Sequence, residues 1–493
     1  MKDKLIIFLK KYPLFLYLLA VFFVLHGFTE NYDFVPAKDA VLLAGIYLGF
    51  SIFFLFLSRP FFKNWTKAAI LAFLLMAFHF FFGSLQDGLR KFFPGTFVSK
   101  YVFMLPLCFF LLLLMIIHLK KRKKSLQRLV FYLNTLLVLL IVIDTIVLLR
   151  KSIAGKKDAG SLPKEFVACA GCPKPDVYII VADEYAGNKE LKDVFNFDDS
   201  SFLNQLAGRN FHIIPTSSSN YNYTPYSIAS TLNMDYLDLD RTGKQPVLTY
   251  TYETIRSNKL LEFLQYNHYK FYNYSFFDFK GQPALTQETF LPVKTKLITS
   301  QTFLSRVQRD LRFLLVTRFK SEQETRKDIY YHRDNNEKLF QRTLHIAGEK
   351  TNQPKFVLTH LMVPHYPYYY DRNGNEFPYE TLGEGNQSNQ NNYIEYLQYG
   401  NKKLLELVDH ILENSSGPPI IVLMGDHGFR HFNKPVDPKY YFYNLVAVHL
   451  PNNNYSAFSD SLTNVNLLRT VLNTSFGQRL AYLKDTTIIM DNP

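Results

Sequence analysis

Only three cysteines and one tryptophan occur in 493 residues. Three thiols exclude a cysteine-rich zinc fold or a disulfide-stapled scaffold. Two of them, Cys169 and Cys172, stand together as Cys-Ala-Gly-Cys. A thioredoxin-type redox centre needs a thioredoxin-like unit around it, which the flanking sequence lacks, so a local disulfide outside the cytoplasm is the preferred reading. Cys108 lies in an apolar run and reads as packing. No internal repeat is visible, which excludes a solenoid or propeller. Charge is also scarce, at 20% of residues, and it is missing from several long stretches near the start of the chain.

Those stretches are the first positive signal. Five apolar runs, roughly 15–28, 40–57, 68–85, 102–119 and 129–149, approach the length of about 20 residues that a membrane-spanning helix needs. The first run has no small-residue cleavage site and four more follow it, so it is not a signal peptide. Lys2, Lys4, Lys10 and Lys11, then Arg59, Lys63 and Lys67, then Lys120, Lys121, Arg122, Lys123, Lys124 and Arg128 fall in alternate loops on one side. The opposite short loops hold only Lys38, Arg90, Lys91 and Lys100. The bias puts the N-terminus in the cytoplasm. Five spans then place everything after residue 150 on the extracytoplasmic, periplasmic side of the cytoplasmic (inner) membrane. Asp144 and His79 inside spans are costly in lipid and are functional candidates, Asp144 lying close enough to the outer end for water or a nearby Lys or Arg to satisfy it.

A formal charge of +13 invites a nucleic-acid partner, but residues 1–174 carry 23 Lys and Arg against 8 Asp and Glu, leaving 32 against 34 for the rest. The basic surplus is a topology signal, and the exported part is near neutral. No nucleic-acid partner is expected. The expected domains are a five-helix membrane domain over 1–150, a linker over 151–175 and a soluble domain over 176–493.

Within the soluble part, short apolar runs alternate with helical patterns. Strands are expected at 177–182, 271–274, 356–360, 420–424 and 445–450, and helices at 201–209, 226–237, 252–266, 302–319, 336–349, 393–413 and 463–472. Such alternation predicts an α/β domain with a largely parallel sheet covered by helices. The basic, amphipathic run 302–319 is expected to dock its apolar face on the sheet, with a place on the membrane surface as the alternative. Residues 383–392, rich in Asn and Gln, read as a surface loop.

Two of the strands end in metal-binding residue types. Val177–Ala182 runs into Asp183-Glu184, and Ile420–Met424 runs into Gly425-Asp426-His427-Gly428. Parallel sheets place their chemistry at strand carboxyl ends. Asp beside His offers a hard oxygen and an imidazole nitrogen, a pair suited to Zn²⁺ or Mn²⁺. The flanking glycines are expected to let the backbone turn sharply. Alone, this tetrapeptide is equally compatible with a capped turn and a locally bonded histidine. Asp183 supplies the second strand-end carboxylate that a metal site with an open position requires, and Glu184 is a further candidate ligand. Thr224, in Tyr223-Thr224-Pro225-Tyr226-Ser227, opens a helix; it suits a helix cap, or a hydroxyl nucleophile facing an anion. His360 and His365 follow another buried strand and are candidate substrate contacts, as are Arg430 and, with less support, His431.

The ordered set of Asp183, Thr224, His360 to Pro367 and Asp426-His427 resembles the alkaline phosphatase superfamily in its sulfatase-like branch, over roughly residues 175–475. With five preceding spans, the chain resembles lipoteichoic acid synthases and lipid A phosphoethanolamine transferases. The resemblance implies Thr224 as nucleophile and metal ligand, with Asp183, Asp426 and His427 around one divalent ion. That ion would be Mn²⁺ or Zn²⁺ first, with Mg²⁺ or Ca²⁺ as alternatives, and His365 would contact substrate phosphate. True sulfatases carry Cys or Ser at the nucleophile position, for conversion to formylglycine. Thr224 cannot be converted, and Ile228 stands where their motif has Arg.

The function expected is a transferase moving a phospholipid-derived head group, phosphoglycerol or phosphoethanolamine in type, to a lipid or glycan acceptor of the envelope. Two alternatives remain open: a membrane-bound sulfatase-like or phosphodiesterase-like hydrolase, and a catalytically degenerate protein that binds an envelope polymer.

Overall fold

The structure, a computed structural model, describes residues 2–32, 35–93, 96–157, 162–168, 171–238, 247–280, 282, 284, 295–308 and 322–490. The chain divides into two compact units, one comprising Met1–Ala159 with Glu288–Ser321 and the other Gly160–Gln287 with Glu322–Pro493.

In the first unit, Ala37–Phe61, Trp65–Phe92, Tyr101–Lys121 and Gln127–Ser152 are long and apolar enough to cross a membrane, and Phe15–Glu30 is a shorter apolar helix. All five expected apolar segments are therefore helical. Their apolar side chains divide between the bundle interior, including Phe15, Leu19, Met76 and Phe80, and an outward face with Phe53, Phe56 and Phe109. Ala68, Ala69 and Ala72 are buried along one helix, where small side chains allow close helix approach. Asp144 has a partner different from those expected: His26 Nδ1, 3.2 Å away on the helix Phe15–Glu30. His79 is buried with its ring 5.7 Å from that of Tyr47.

The run expected to lie on the sheet does not do so. Its described part, 302–308, belongs to the membrane unit, and 309–319 lies outside the described residues. Gln301 O accepts the Gly83 amide at 2.8 Å, Phe303 packs on Phe78 and Phe82, and Arg306 is paired with Asp87. A Cβ on Gly83 would lie 2.6 Å from Gln301 O, so the glycine makes this docking possible. Amphipathicity states that one face is buried but not against what. Here the apolar side found the helix bundle. Glu288–Ser321 thus groups with the first unit, although it follows the linker expected over 151–175.

The second unit is built on a six-stranded sheet in the order β2-β6-β5-β1-β4-β3. The strands are β1 (Val177–Ala182), β2 (His212–Ile213), β3 (Lys270–Tyr274), β4 (Lys355–Leu361), β5 (Ile420–Gly425) and β6 (Val446–His449). The pairs of β1 with β4 and β5, and of β3 with β4, are parallel, whereas β6 pairs antiparallel with β5, and β2 with β6. Every residue of β1, β4 and β5 is buried, as near-continuous apolar runs require when helices cover both faces. The expected helix 252–266 is two helices, Val247–Arg256 and Lys259–Tyr266, because the Asn258 side chain caps the second by accepting from Leu261 N. Residues 383–392 form a 3₁₀ turn at Glu384–Asn386 and then enter the helix Gln390–Asn414. Cys172 is disulfide-bonded and Cys108 is free; Cys169 lies outside the described residues.

Candidate active site

Sheet register does the first part of the assembly. Ala182, the last residue of β1, is paired with Gly425 of β5 on one side and with Leu361 of β4 on the other. The next residues, Asp183 and Asp426, therefore leave neighbouring strands at the same level, about 5 Å apart. Ligand atoms of Asp183, His360 and Asp426 all lie within 4.8 Å of one another, and all three residues are buried. His360, expected to meet substrate, is instead wholly buried, with Nε2 3.0 Å from Asp183 Oδ2 and its ring 4.4 Å from that of Phe276. A side chain so enclosed can hold a carboxylate or a metal but offers no surface to a substrate.

The turn after β5 is fixed by backbone donors. Asp426 Oδ1 accepts from the amides of Glu184 at 2.9 Å and His427 at 3.0 Å. Its Oδ2 lies 3.3 Å from His427 Nε2, while His427 Nδ1 lies 2.8 Å from Gly428 O. An Nδ1–H donated to that carbonyl leaves Nε2 as the imidazole's lone-pair nitrogen. Burial, and then the positive charge of Arg430, hold this imidazole well below the usual histidine range, which keeps it neutral. Gly425 and Gly428 do not have the positive φ that a sharp turn would need. They are required for space: a Cβ would lie 2.6 Å from Tyr185 O at the first and 2.3 Å from Tyr440 O at the second.

Thr224 comes from the other side. Tyr223 is extended and precedes the helix Thr224–Asn233, whose first turn carries Pro225. Proline suits a first turn because no donor is lost there. Thr224 Oγ1 lies 3.2 Å from His427 Nε2, and one turn later Ser227 Oγ donates to Asp426 O at 2.5 Å. At the far end of this helix, Arg469 donates through Nε and Nη2 to Met234 O, where backbone acceptors are left over. The helix is buried and pinned at both ends, so the hydroxyl at its N-terminus is preorganised. Sequence reasoning missed Ser227, although its position at i+3 from Thr224 put both hydroxyls on one helix face.

Glu184 does not join Asp183. It adopts φ 59°, a left-handed conformation that is costly for a non-glycine residue, and its carboxylate turns toward a second group. Oε1 accepts the Arg430 amide at 3.0 Å and lies 3.5 Å from His431 Nε2, and Oε2 is 3.9 Å from His365 Nε2. Glu184, His365 and His431 form a second cluster whose ligand atoms lie within 4.8 Å of one another. The Arg430 guanidinium stands 4.2 Å over the ring of Tyr223, next to Thr224. Burial and the neighbouring cations hold the His365 imidazole well below its usual range. Glu190, which no sequence motif singles out, is wholly buried beneath Gly428; burial raises its carboxyl well above the usual range, only partly offset by the Phe429 amide.

The family model described as Sulfatase matches residues 179–469, from within β1 to the helix Asn464–Phe476. The chain belongs to the sulfatase family. Membership confirms the superfamily expected from the ordered motifs, and it makes this sulfatase-family chain an enzyme of transferase or hydrolase type. Among solved structures, the C-terminal periplasmic domain of EcEptC from Escherichia coli in complex with Zn is 12% identical with a TM-score of 0.39, over 64% of this chain and 86% of that one. The integral membrane protein lipooligosaccharide phosphoethanolamine transferase A from Neisseria meningitidis is 12% identical with a TM-score of 0.37, over 95% of both chains. Phosphonate monoester hydrolase from Silicibacter pomeroyi is 14% identical with a TM-score of 0.41, over 64% of this sulfatase-family chain and 75% of that one. No curated protein matches the chain at a significant level.

Proposed function

We propose that the chain is a multi-pass enzyme of the cytoplasmic membrane, with its N-terminus inside, that moves a phosphorylated lipid head group to an envelope acceptor through a phosphothreonine at Thr224. The observation that carries this reading is the buried Thr224 hydroxyl at a helix N-terminus, 3.2 Å from His427 Nε2.

The residues fit a divalent ion. The spacings from Thr224 Oγ1 to His427 Nε2 and from His427 Nε2 to Asp426 Oδ2 are 3.2 and 3.3 Å. Ligand atoms on a tetrahedral centre with bonds of about 2.0–2.1 Å lie about 3.3 Å apart. Asp183, Thr224, Asp426 and His427 would hold the ion, with His360 orienting Asp183. Two carboxylates, an imidazole and a hydroxyl favour Zn²⁺ or Mn²⁺. When bound, such an ion acidifies the threonine hydroxyl and offsets phosphate charge.

In the first half-reaction Thr224 Oγ1 bonds to phosphorus, the bond to the diacylglycerol oxygen breaks, and diacylglycerol leaves carrying the proton that threonine gave up. In the second, an acceptor hydroxyl bonds to phosphorus, the Thr224 oxygen departs, and the acceptor's proton restores the hydroxyl. The helix amides at Thr224 and the cation of Arg430 would favour the phosphate oxygens, and His365 would contact one of them. Family membership also supports hydrolysis, in which water replaces the acceptor. The two differ only in product.

The test uses the full chain in lipid with an isotope-labelled phospholipid. Mass spectrometry is expected to find the head-group phosphate on Thr224 of the wild type, and Thr224→Ala to lower turnover by about a thousandfold or more. Unchanged turnover in Thr224→Ala overturns the nucleophile assignment. Labelled head group released free, without a modified acceptor, favours the hydrolase.

A further inference from the structure

A cavity of about 320 Å³ lies between the helices Glu322–Gly348 and Gln390–Asn414, at the carboxyl end of β4. Its size is at the small end of the range for ligand pockets. Three tyrosines wall it. The ring of Tyr399 is 4.6 Å from that of Tyr370 and lies parallel to that of Tyr396, with centroids 5.9 Å apart. The Tyr370 and Tyr399 hydroxyls carry no hydrogen bond among the described residues, and Glu337 accepts a single one, from Gln341.

Charge narrows the ligand class. Arg333 and Lys403 are balanced by Asp334 and Glu337 in the same lining, so the cavity has no net charge. Arg333 is already paired with Asp334 and Glu376, and Lys403 with Glu406 while it stands 4.3 Å over the ring of Phe340. A phosphate would have to break those pairs to gain a partner. A cation would face Arg333 and Lys403. Flat aromatic faces together with spare phenols and a carboxylate oxygen suit an uncharged ring that has apolar C–H faces and a rim of hydroxyls. Val363 lines the same cavity and stands two residues before His365, so their Cα atoms are at most about 7 Å apart along the chain.

We propose that this cavity binds a neutral sugar residue, stacked on Tyr370 and Tyr399 and hydrogen-bonded to Glu337, and that it is the acceptor subsite of the enzyme. The binding stands on the cavity alone; the word acceptor rests on the transferase reading above.

The test is direct binding to the full chain, purified in a detergent without a sugar head group. Maltohexaose, laminarihexaose and chitohexaose are the neutral probes and inorganic phosphate is the charged one, read by saturation-transfer NMR. At least one hexaose is expected to bind, and Tyr399→Ala to weaken it about fivefold to tenfold. Glu337→Gln serves as the second variant should Tyr399→Ala melt early, and is expected to weaken the same sugar without moving the melting temperature. Thr224→Ala is expected to bind sugar as the wild type does, so failure of the nucleophile assignment and failure of the subsite are told apart. The proposal is overturned if none of the hexaoses binds, if a folded cavity variant binds as tightly as the wild type, or if phosphate displaces the sugar.

Discussion

Thr224 Oγ1 lies 3.2 Å from Nε2 of His427, across 203 residues of chain. Nothing local creates this contact. It exists because β5 delivers His427 just beyond a paired strand end, and because Ser227, one helical turn past Thr224, ties the same helix to the carbonyl of Asp426. The two bonds fix both the position and the rotation of the helix against the turn.

Asp426→Asn tests whether the cluster holds a metal. The amide keeps an oxygen for the Glu184 and His427 donors but replaces an anionic ligand with a neutral one. Metal affinity is expected to fall by more than about 100-fold, with the fold intact. Equilibrium dialysis and elemental analysis read this directly; a variant that keeps stoichiometric metal shows that the ion sits elsewhere.

Gly428→Ala tests the claim that this glycine is required for space. Its Cβ would meet Tyr440 O at 2.3 Å and Glu190 Oε2 at 2.6 Å. Backbone cannot yield cheaply, so a loss of about 1–3 kcal/mol is expected in denaturant unfolding. Gly383→Ala, which meets nothing within 4 Å, is the control and is expected to change stability by less than about 0.5 kcal/mol.

Asp199 gives a pH signature outside the Asp183, His360 and Asp426 group. Burial raises its carboxyl from 3.8 to about 7, although Tyr185 and Asn401 donate to it. Between these two values the folded chain holds a proton that the unfolded chain has released, so this group's contribution to stability falls as pH rises from about 4 to 7 and is then flat. Neutral His365 and His427 act in the opposite sense, gaining stability as pH rises, so the net slope is a mixture. The difference between wild type and Asp199→Asn isolates the contribution of this carboxyl. The variant's relative melting temperature should climb from pH 4 to pH 7; a difference independent of pH would show that Asp199 titrates normally.

The parallel core was legible because strands buried on both faces must be apolar throughout, and β1 and β5 each end abruptly in acid. That a helix opens at Thr224 was legible from Pro225, which suits a first turn. Which way a strand-end side chain turns was not. Asp183 and Glu184 are neighbours in sequence, yet the left-handed backbone at Glu184 sends them to different clusters, and no pattern announces a positive φ at glutamate. His360 looked like its neighbour His365, but residing within β4 rather than beyond it commits it to the interior. The helix Asn188–Phe195 was invisible because it is eight residues long and mostly polar.

The return of 288–321 to the membrane unit changes how the enzyme is tethered. The described residues of the chain leave the first unit between 157 and 162, return to it between 284 and 295, and leave it again between 308 and 322. A single protease cut in the 160–174 stretch would leave two covalent links in place, and the catalytic unit would stay on the membrane. A piece expressed from residue 176 onward would carry Ile298 and Phe303 without the helices that cover them, two apolar side chains with nowhere dry to go. The catalytic half is thus not a detachable cargo at the end of a leash; it is stitched to its membrane.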